Sequence, residues 1–360
     1  MALRIDLVKR SEASTLMAYA SPLIAVGLTL LTGLVVFAII GVPPLKGLYV
    51  YFVEPLTTQW SLEKLSLKAA PLIMIAAGLS VAYRANVWNI GAEGQLTIGA
   101  LCGAAIPVLW NAWQSPFTLP AMLLLGVVGG AVWGLIPAFL KVKTGANEIL
   151  TSLMLVYVAQ FLLDWLVRGP WRDPHGYNFP KSVTFEGWQM LPTFGGTDVH
   201  FGVVLSVLAA IILWAVMSFT LKGFEIRVLG TAPRAGSFAG FSPKKMVYFA
   251  FAVSGGLAGL AGICELAGPV NELQPTISPG YGFTAIIVAF LGRLNPIGVI
   301  VAGVALAVSY LGGEEAHTAF AISDKAARVF QGLLLFYILA CDTLILYRIK
   351  IAFGAKGAAA

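Results

Sequence analysis

The sequence predicts an all-helical protein that crosses a membrane many times. It is 58% hydrophobic and only 11% charged, and its mean hydropathy of +0.85 lies far above the usual range for soluble domains. Apolar runs long enough to span a bilayer recur along the whole chain of 360 residues. Together these observations indicate a polytopic membrane protein.

Ten apolar runs are candidate transmembrane helices. They cover approximately residues 22–40, 69–83, 94–110, 119–140, 149–167, 202–220, 246–267, 283–292, 297–312 and 329–347. The first run is too long for the core of a signal peptide, so we expect an uncleaved first span. The chain then divides into an N-terminal segment (1–21), a transmembrane domain (22–347) and a C-terminal tail (348–360).

Basic residues set the predicted orientation. Most of the 23 Lys and Arg residues fall in loops that the order of ten spans places on one side, and the positive-inside rule makes that side the cytoplasm. Both termini are then cytoplasmic, the loop 222–245 is inside and the loop 168–200 is outside. The formal charge of +6 fits these loops and anionic headgroups better than a nucleic acid partner.

Two polar segments occupy corresponding positions in the two halves of the predicted domain. Ten spans divide into five plus five, and an odd number per half inverts the second half, as in inverted-repeat transporters whose sites lie at broken helices. The first polar segment (residues 89–95) follows the second span, and the second polar segment (residues 268–282) follows the seventh. Hydrophilic backbone at membrane depth needs partners in protein or in a water-filled cavity. We therefore predict that a solute pathway is lined by Asn89, Glu93, Gln95, Asn271 and Glu272; ordinary loop residues remain the alternative.

Ionisable residues inside the other spans are few. Glu148 opens the fifth span after Asn147, Asp164 and Glu265 lie near the outer ends of spans, and Asp342 lies in the last span. An ionisable group at such depth is a functional candidate by default. We add Asn147 and Glu148 to the predicted pathway, and we interpret Asp164 and Glu265 as ordinary residues at headgroup level and Asp342 as a paired acid.

The inner loop 222–245 is predicted to contain a short surface helix. Thr231 is a suitable N-cap, and Gly240 fits the position after the last turn. Such a helix would present Arg234 and Phe238 to the groove of a cytoplasmic partner. A simple connector that carries positive-inside charge is the alternative interpretation.

The outer loop 168–200 is rich in Pro, Gly and aromatic residues. Aromatic residues at a membrane edge usually anchor the interface. A loop of this length is also able to dock a partner outside. Both interpretations remain open on the pattern.

Small residues recur at four-residue spacing on three spans, which predicts close helix packing rather than a binding site. They are Gly99 and Gly103 on the third span, Gly126, Gly130 and Gly134 on the fourth, and Gly255 and Gly259 on the seventh.

Sequence motifs for catalysis and metal binding are missing. The three cysteines fall within apolar runs and their odd number gives no disulfide framework, and neither they nor the three histidines have ligand spacing. The chain has no phosphate-binding loop and no nucleophile elbow. We predict no enzyme activity, metal or cofactor for this chain; if nucleotide drives it, ATP and Mg²⁺ bind to another subunit.

Five blocks, in order, carry a family resemblance that covers roughly residues 67–340. They read Asn-Ile-Gly-Ala-Glu-Gly-Gln at 89–95, Asn-Glu-Ile-Leu-Thr at 147–151, Gly-x-Glu-x-Arg-x-x-Gly at 223–230, Ser-Gly-Gly-Leu-Ala-Gly-Leu-Ala-Gly at 254–262 and Ala-Phe-Leu-Gly-Arg-Leu-Asn-Pro-Ile-Gly at 289–298. These blocks look like the permease subunits of bacterial ABC importers, and are most similar to the branch for simple sugars and purine nucleosides.

The resemblance implies a type II-like importer permease in the bacterial cytoplasmic (inner) membrane. It implies a second, related permease that forms a heterodimer, a cytoplasmic ABC ATPase and an extracytoplasmic substrate-binding protein. The block at 89–95 is then expected near the translocation path. Contact with the ATPase is expected from the loop that contains Glu225, Arg227, Arg234, Phe238 and Gly240.

One departure from the family pattern concerns the substrate. The fifth span reads Leu-Val-Tyr at 155–157, where the resemblance leads us to expect Leu-Asn-Tyr. The chain lacks an amide there that would hydrogen-bond a ribose or a base.

We predict ATP-driven import of a nucleoside or simple sugar by alternating access. Import of branched-chain amino acids, the role of the sister branch, is the nearest alternative. A second alternative is an ion-coupled secondary transporter that uses Glu93, Glu148 or Asp342 as its proton or cation site. An intramembrane enzyme or a purely structural subunit is the third.

Overall fold

The structure, a computed structural model, describes residues 2–9, 15–110, 113–323, 329–330, 332–333, 336–338, 340–341, 344 and 347–354. The chain divides into two units, which we call the core unit (residues 56–311) and the terminal unit (residues 1–55 and 312–360). Asp342, one of the alternative ion sites, lies outside the described residues.

Helices dominate both units. The terminal unit holds β1 (Ala2–Lys9), α1 (Thr15–Ile40), α2 (Pro44–Phe52) and β2 (Tyr347–Gly354). The core unit holds α3 (Gln59–Arg84), α4 (Ala92–Leu109), α5 (Thr118–Thr144), α6 (Glu148–Arg168), α7 (Gly202–Phe219), α8 (Leu221–Thr231), α9 (Pro233–Phe238), α10 (Pro243–Glu265), a π-helical turn (Leu266–Val270) and α11 (Tyr281–Leu291). Helix α12 (Pro296–Phe320) begins in the core unit and ends in the terminal unit.

The prediction of an all-helical membrane domain is confirmed. Among the described residues, eight helices are long and apolar enough to cross a membrane, namely α1, α3, α4, α5, α6, α7, α12 and α10 with its π-helical turn. Helix α11, the predicted eighth span, has only 11 residues and is about 16 Å long, too short for a hydrocarbon core of roughly 30 Å. The predicted tenth span is described only in part, so the five-plus-five division stays a prediction.

Helix α10 is the centre of the core unit, where it contacts α3, α4 and α5. Its small residues let neighbouring backbones approach closely: a Cβ atom on Gly99 would lie 2.2 Å from Cα of Gly259, and one on Gly130 would lie 2.3 Å from the carbonyl oxygen of Gly255. The predicted packing seams are confirmed. Backbone contact of this kind fixes the helices that carry the polar segments.

The two ends of the core unit differ. The long loop 169–201 precedes α7 at one end, which we call the loop end, and α8 and α9 follow α7 at the other, which we call the connector end. Helix α3 begins at the loop end, where Lys64 forms an ion pair with Asp198. It finishes at the connector end, where a Cβ atom on Gly230 would lie 1.9 Å from the carbonyl oxygen of Arg84.

The short helix predicted within the loop 222–245, which we call the connector, is present as α9. Its last residue, Phe238, is 94% exposed. The predicted cap is wrong. Thr231 is instead the last residue of α8, where its hydroxyl donates to the carbonyl oxygen of Arg227 at 2.8 Å. A Thr side chain in a helix readily bonds the carbonyl oxygen four residues earlier. Ala232 precedes α9, and Gly240 follows it with φ +86°.

The terminal unit contains a β pair that we did not predict. Strands β1 and β2 are antiparallel, with Ala2 opposite Gly354 and Lys9 opposite Tyr347. We expected only terminal segments at 1–21 and 348–360; α1 also begins at Thr15, before the predicted first span. Residues 1, 10–14 and 355–360 of those segments lie outside the described part.

Aromatic packing forms the core of the terminal unit. The ring of Phe330 lies 4.5 Å from that of Tyr51 and 5.5 Å from that of Phe37, measured between centroids. All three side chains are buried. Aromatic pairs at these distances, here both tilted, contribute roughly 0.5–1.5 kcal/mol per pair beyond the burial of their area.

Candidate functional site

The first polar segment enters the interior of the core unit after α3. Asn86 has φ +56°, and this left-handed residue turns the chain back toward α10, a conformation that Asn adopts more readily than most residues. The hydroxyl of Tyr83 donates to the carbonyl oxygen of Asn89 at 3.0 Å. The non-helical backbone therefore finds partners inside the protein, as hydrophilic backbone at membrane depth requires.

Asn89 and Gln95 bond to each other. Nδ2 of Asn89 donates to Oε1 of Gln95 at 2.8 Å, and Nε2 of Gln95 donates back to Oδ1 of Asn89 at 3.0 Å. Nδ2 of Asn89 also donates to Oγ of Ser254 on α10 at 2.9 Å. Both amide side chains are buried, so these two predicted pathway residues hold the segment to α10, and contact with solute stays a prediction for them.

Helix α6 packs against the first polar segment at its glycines. A Cβ atom on Gly91 would lie 2.8 Å from the carbonyl oxygen of Ser152, and one on Gly94 would lie 2.9 Å from Cα of Val156. The backbone N–H of Ile90 donates to Oγ of Ser152 at 3.2 Å. Val156 is buried, so the residue that replaces the expected Asn serves helix packing here.

Glu93 joins the two polar segments. Its Oε2 accepts a hydrogen bond from the backbone N–H of Gly282 at 2.6 Å, in the first turn of α11, where a helix N-terminus favours negative charge. A Cβ atom on Gly282 would lie 2.3 Å from the backbone nitrogen of Glu93, so only glycine fits. The first and second polar segments, which the sequence predicts at corresponding positions of the two halves, are thus in direct contact.

A cavity of about 390 Å³ lies beside this contact. Its lining comes from three places: Glu93 and Thr97 on α4, Gln160, Phe161, Leu163 and Asp164 on α6, and residues 275–278 of the second polar segment. We call it the Glu93 cavity. It offers carboxylate, amide and hydroxyl groups beside one aromatic ring, which is the mixture that small-molecule sites use to orient a ligand.

The second polar segment ends in a capped turn. Oγ of Ser278 accepts hydrogen bonds from the backbone N–H groups of Gly280 at 3.1 Å and Tyr281 at 2.9 Å. Gly280 has φ +104°, which disfavours any side chain. The turn fixes the start of α11 and therefore the N–H that bonds Glu93.

Glu272 anchors the long loop 169–201 and does not line the Glu93 cavity. Its Oε2 accepts from Nζ of Lys181 at 2.9 Å and from the hydroxyl of Thr184 at 3.2 Å. The hydrogen bond to Glu272 raises the pKa of Lys181 above its usual value. Asn271, its neighbour, lines a different cavity at the loop end.

Asn147 and Glu148 lie far from the Glu93 cavity. Asn147 caps α6, with its Oδ1 accepting from the backbone N–H of Ile149 at 2.9 Å. Glu148 forms an ion pair with Lys141 at the connector end. Twelve residues of helix separate Glu148 from Gln160, which is about 18 Å along α6. The structure does not bring these two predicted residues together with the others.

The predicted coupling residues lie on or near the surface of the connector. Nζ of Lys222 bonds Oε2 of Glu225 at 2.6 Å within α8, and Arg234 is exposed on α9. Ring centroids of Phe224 and Phe241 lie 6.1 Å apart and hold the connector together. An exposed aromatic and a basic side chain on one short helix are the features that a partner's groove binds.

The predicted pathway residues did not include Thr97 and Gln160, which line the Glu93 cavity; Thr276 and Ser278 also line it and lie within the second polar segment, although they were not named individually. Sequence reasoning also interpreted Asp164 as an ordinary headgroup-level residue, whereas Asp164 lines the cavity and forms an ion pair with Arg168 at 2.7 Å. The spacing of Gln160 and Asp164, four residues apart on α6, places both on one helix face and was the available signal. Among the described residues, no group of His, Cys, Asp and Glu is arranged to hold a metal ion.

Comparison with known proteins decides the family. A family model described as "Branched-chain amino acid transport system / permease component" matches residues 61–339. The chain belongs to this permease family. It is therefore a multi-pass membrane component of a transport system, as predicted.

Several curated relatives match the permease over most of their length. The glucose ABC transporter permease protein TsgB13 of Haloferax volcanii is 36% identical, with 99% of this chain and 96% of the relative covered. The nucleoside ABC transporter permease protein NupB of Lactococcus lactis subsp. cremoris is 26% identical, with coverage of 88% and 89%. The guanosine ABC transporter permease protein NupP of Bacillus subtilis is 28% identical, with coverage of 81% and 83%.

Proposed function

We propose that the permease imports a neutral, hydroxylated solute, a nucleoside or a simple sugar, across the bacterial cytoplasmic membrane through the Glu93 cavity. The observation that carries the proposal is the contact between the two polar segments, which together line that cavity. Relatives named as glucose, nucleoside and guanosine transporter permeases support this substrate class.

The lining of the Glu93 cavity favours a neutral solute. None of its lining residues in the described part of the chain is basic, and the carboxylate of Asp164 is engaged by Arg168. A zwitterion needs a cationic partner for its carboxylate, so branched-chain amino acids, which the family description suggests, fit this lining less well. Hydroxyl and amide groups of the lining match sugar hydroxyls instead.

Alternating access is the proposed mechanism. A binding protein outside delivers solute, and the Glu93 cavity holds it weakly while the permease and a second, related permease rock about it. A cytoplasmic ABC ATPase, which binds ATP and Mg²⁺, pushes on α9. The closely packed α10 and its neighbours transmit this push as a rigid group because their backbones are in contact.

Replacement of Glu93 tests the proposal. In proteoliposomes that contain the permease with its ATPase, partner permease and binding protein, Glu93→Ala should lower the uptake of labelled adenosine or glucose more than about tenfold, since loss of one charge-assisted hydrogen bond costs roughly 1.5–3 kcal/mol. The control is Glu186→Ala, which removes an exposed carboxylate at the loop end. Assembly is checked by copurification of the ATPase.

Two outcomes would contradict the proposal. Wild-type uptake by Glu93→Ala would remove this residue from the pathway. Uptake driven by an ion gradient without the ATPase would show that the chain is a secondary transporter, which is one of the alternatives that the sequence left open.

A further inference from the structure

Helix α11 is a short helix whose first turn holds Glu93. The turn follows non-helical chain and begins after Gly280, whose φ of +104° interrupts any helical path. The backbone N–H of Thr284 donates to the carbonyl oxygen of Gly280 at 3.0 Å and closes this turn. Gly282, whose N–H bonds Oε2 of Glu93, lies within it. Any side chain that fixes this turn therefore also fixes the donor that holds Glu93.

Tyr310 of α12 contacts the first turn of α11 at two points. Its hydroxyl forms a hydrogen bond with the hydroxyl of Thr284 at 2.8 Å. Its ring lies 5.5 Å from that of Tyr281, measured between centroids, in an edge-to-face arrangement with the ring planes at 63°. The side chains of Tyr281, Thr284 and Tyr310 are all buried. Tyr310 thus holds residues on both sides of Gly282.

Two further contacts fix Tyr281 itself. Its backbone N–H donates to Oγ of Ser278 at 2.9 Å, and its side chain forms a hydrogen bond with that of Glu265 at the end of α10. The first turn of α11 is therefore held by side chains from α4, α10 and α12. Hydrogen bonds of this kind fix the orientation of neighbouring helices inside a membrane.

The contacts of Tyr310 act on the Glu93 cavity from a distance. Among the described residues, the lining of this cavity includes neither Tyr310 nor Tyr281 nor Thr284. Their influence passes through the backbone of α11, since a shift of its first turn moves the N–H of Gly282 relative to Glu93. A charge-assisted hydrogen bond of 2.6 Å is sensitive to such a shift because its strength depends on distance and angle.

We propose that Tyr310 is a positioning residue for solute binding. Its hydrogen bond to Thr284 and its ring contact with Tyr281 set the first turn of α11, and that turn orients Glu93 at the Glu93 cavity. The two hydroxyls consequently determine how tightly the cavity holds a hydroxylated solute. The effect on solute binding rests on the proposed function; the effect on the hydrogen bond between Gly282 and Glu93 does not.

Two single variants remove the same hydrogen bond from opposite sides. Tyr310→Phe keeps the ring beside Tyr281, and Thr284→Val keeps the branched shape of the side chain. Tyr157→Phe is the control, because Tyr157 is half-exposed on α6 and outside the described lining of the cavity.

The transporter, assembled with its ATPase, partner permease and binding protein, is measured in proteoliposomes for the KM and the maximal rate of adenosine or glucose uptake. Hydrogen exchange at the backbone amide of Gly282 reports separately on its bond to Glu93. Each single variant should raise the KM about threefold, the effect of losing one interhelical hydrogen bond. The maximal rate should be kept, and exchange at Gly282 should be faster. The double variant should match the single variants because only one bond is lost, and Tyr157→Phe should change none of these values.

Several outcomes would overturn the proposal. One is a KM that both variants leave unchanged, even with faster exchange at Gly282. Others are a lower maximal rate at constant KM, or loss of ATPase copurification in both variants, which indicate a purely structural role, and effects that add in the double variant. Wild-type uptake by Glu93→Ala, with faster exchange in Tyr310→Phe, would instead contradict the proposed function and leave the positioning of α11 in place.

Discussion

Glu93 and its neighbours show how polar residues in one short block take different roles. Glu93 bonds Gly282 and lines a cavity, whereas Asn89 and Gln95 bond each other away from it. The sequence predicts that this block is buried and structured, because hydrophilic groups at membrane depth must be satisfied. It does not predict which members face the cavity, since that depends on how α6 and α11 pack against the block.

The amide pair gives a stability prediction. Asn89→Leu or Gln95→Met removes both hydrogen bonds between the two amides and leaves polar atoms of the remaining buried amide unpaired, which costs about 1–3 kcal/mol. The double variant should be more stable than the sum of the two effects predicts, by about 1 kcal/mol. Thermal unfolding in detergent measures this coupling, with Gln160→Met as the exposed control; additive effects would mean that the two amides act independently.

His200 gives a pH prediction. Its folded pKa of about 4 lies below the ordinary value of 6.5 because burial disfavours the charged ring. The unfolded chain therefore binds the proton more readily between these values, so His200 contributes stability above pH 6.5 that is lost as the pH falls toward 4. Lys64 and Asp198 are the charged side chains that line the same loop-end cavity as His200 in the described part of the chain.

The measurement compares melting temperatures of the wild type and His200→Gln from pH 7 to pH 4. The advantage of the wild type should shrink across this range. An advantage that stays constant with pH would mean that His200 titrates as it does in the unfolded chain.

At the scale of elements, long apolar helices are predicted well and short elements are not. The described spans overlap the predicted runs because hydropathy marks the membrane-crossing part of each helix, whereas α1 and α3 begin several residues earlier than predicted. The pairing of β1 with β2 was missed although apolar and charged residues alternate at Leu3, Ile5 and Leu7 and again from Arg348 to Ile351. Alternation of this kind is a strand signal, but the partner strand is more than 300 residues away and only the fold brings it near.

Helix α9 gives a coupling prediction. Arg234→Glu or Phe238→Asp should leave the ATPase active while uptake falls about tenfold or more. Each change removes a contact between α9 and the ATPase, and a contact worth ~1.4 kcal/mol corresponds to a tenfold effect. Phe179→Asp, at an exposed aromatic residue on the loop end, is the control. Uptake and ATP hydrolysis are measured together in proteoliposomes, and unchanged coupling in both α9 variants would make the helix a simple connector.

At the scale of the whole molecule, the core unit links the loop end to its interior through one stretch of chain. The second polar segment lines a cavity at the loop end with Gly268 and Asn271, and it lines the Glu93 cavity with residues 275–278. The sequence predicted two polar segments in corresponding positions, and the structure brings them into contact. The sequence did not predict that α6 lines the Glu93 cavity, because Gln160 and Asp164 reach this cavity only through tertiary packing.

Solute protection of a cysteine at Thr276 tests the central claim most directly. Thr276 lines the Glu93 cavity; it is changed to Cys in a transporter whose three native cysteines are replaced by Ala, and the control is Phe179→Cys on the exposed loop. A thiol reagent should modify both positions, and saturating adenosine or glucose should slow the reaction only at Thr276→Cys. Modification of an active Thr276→Cys transporter at a rate that the transported solute leaves unchanged would contradict a pathway beside the two polar segments.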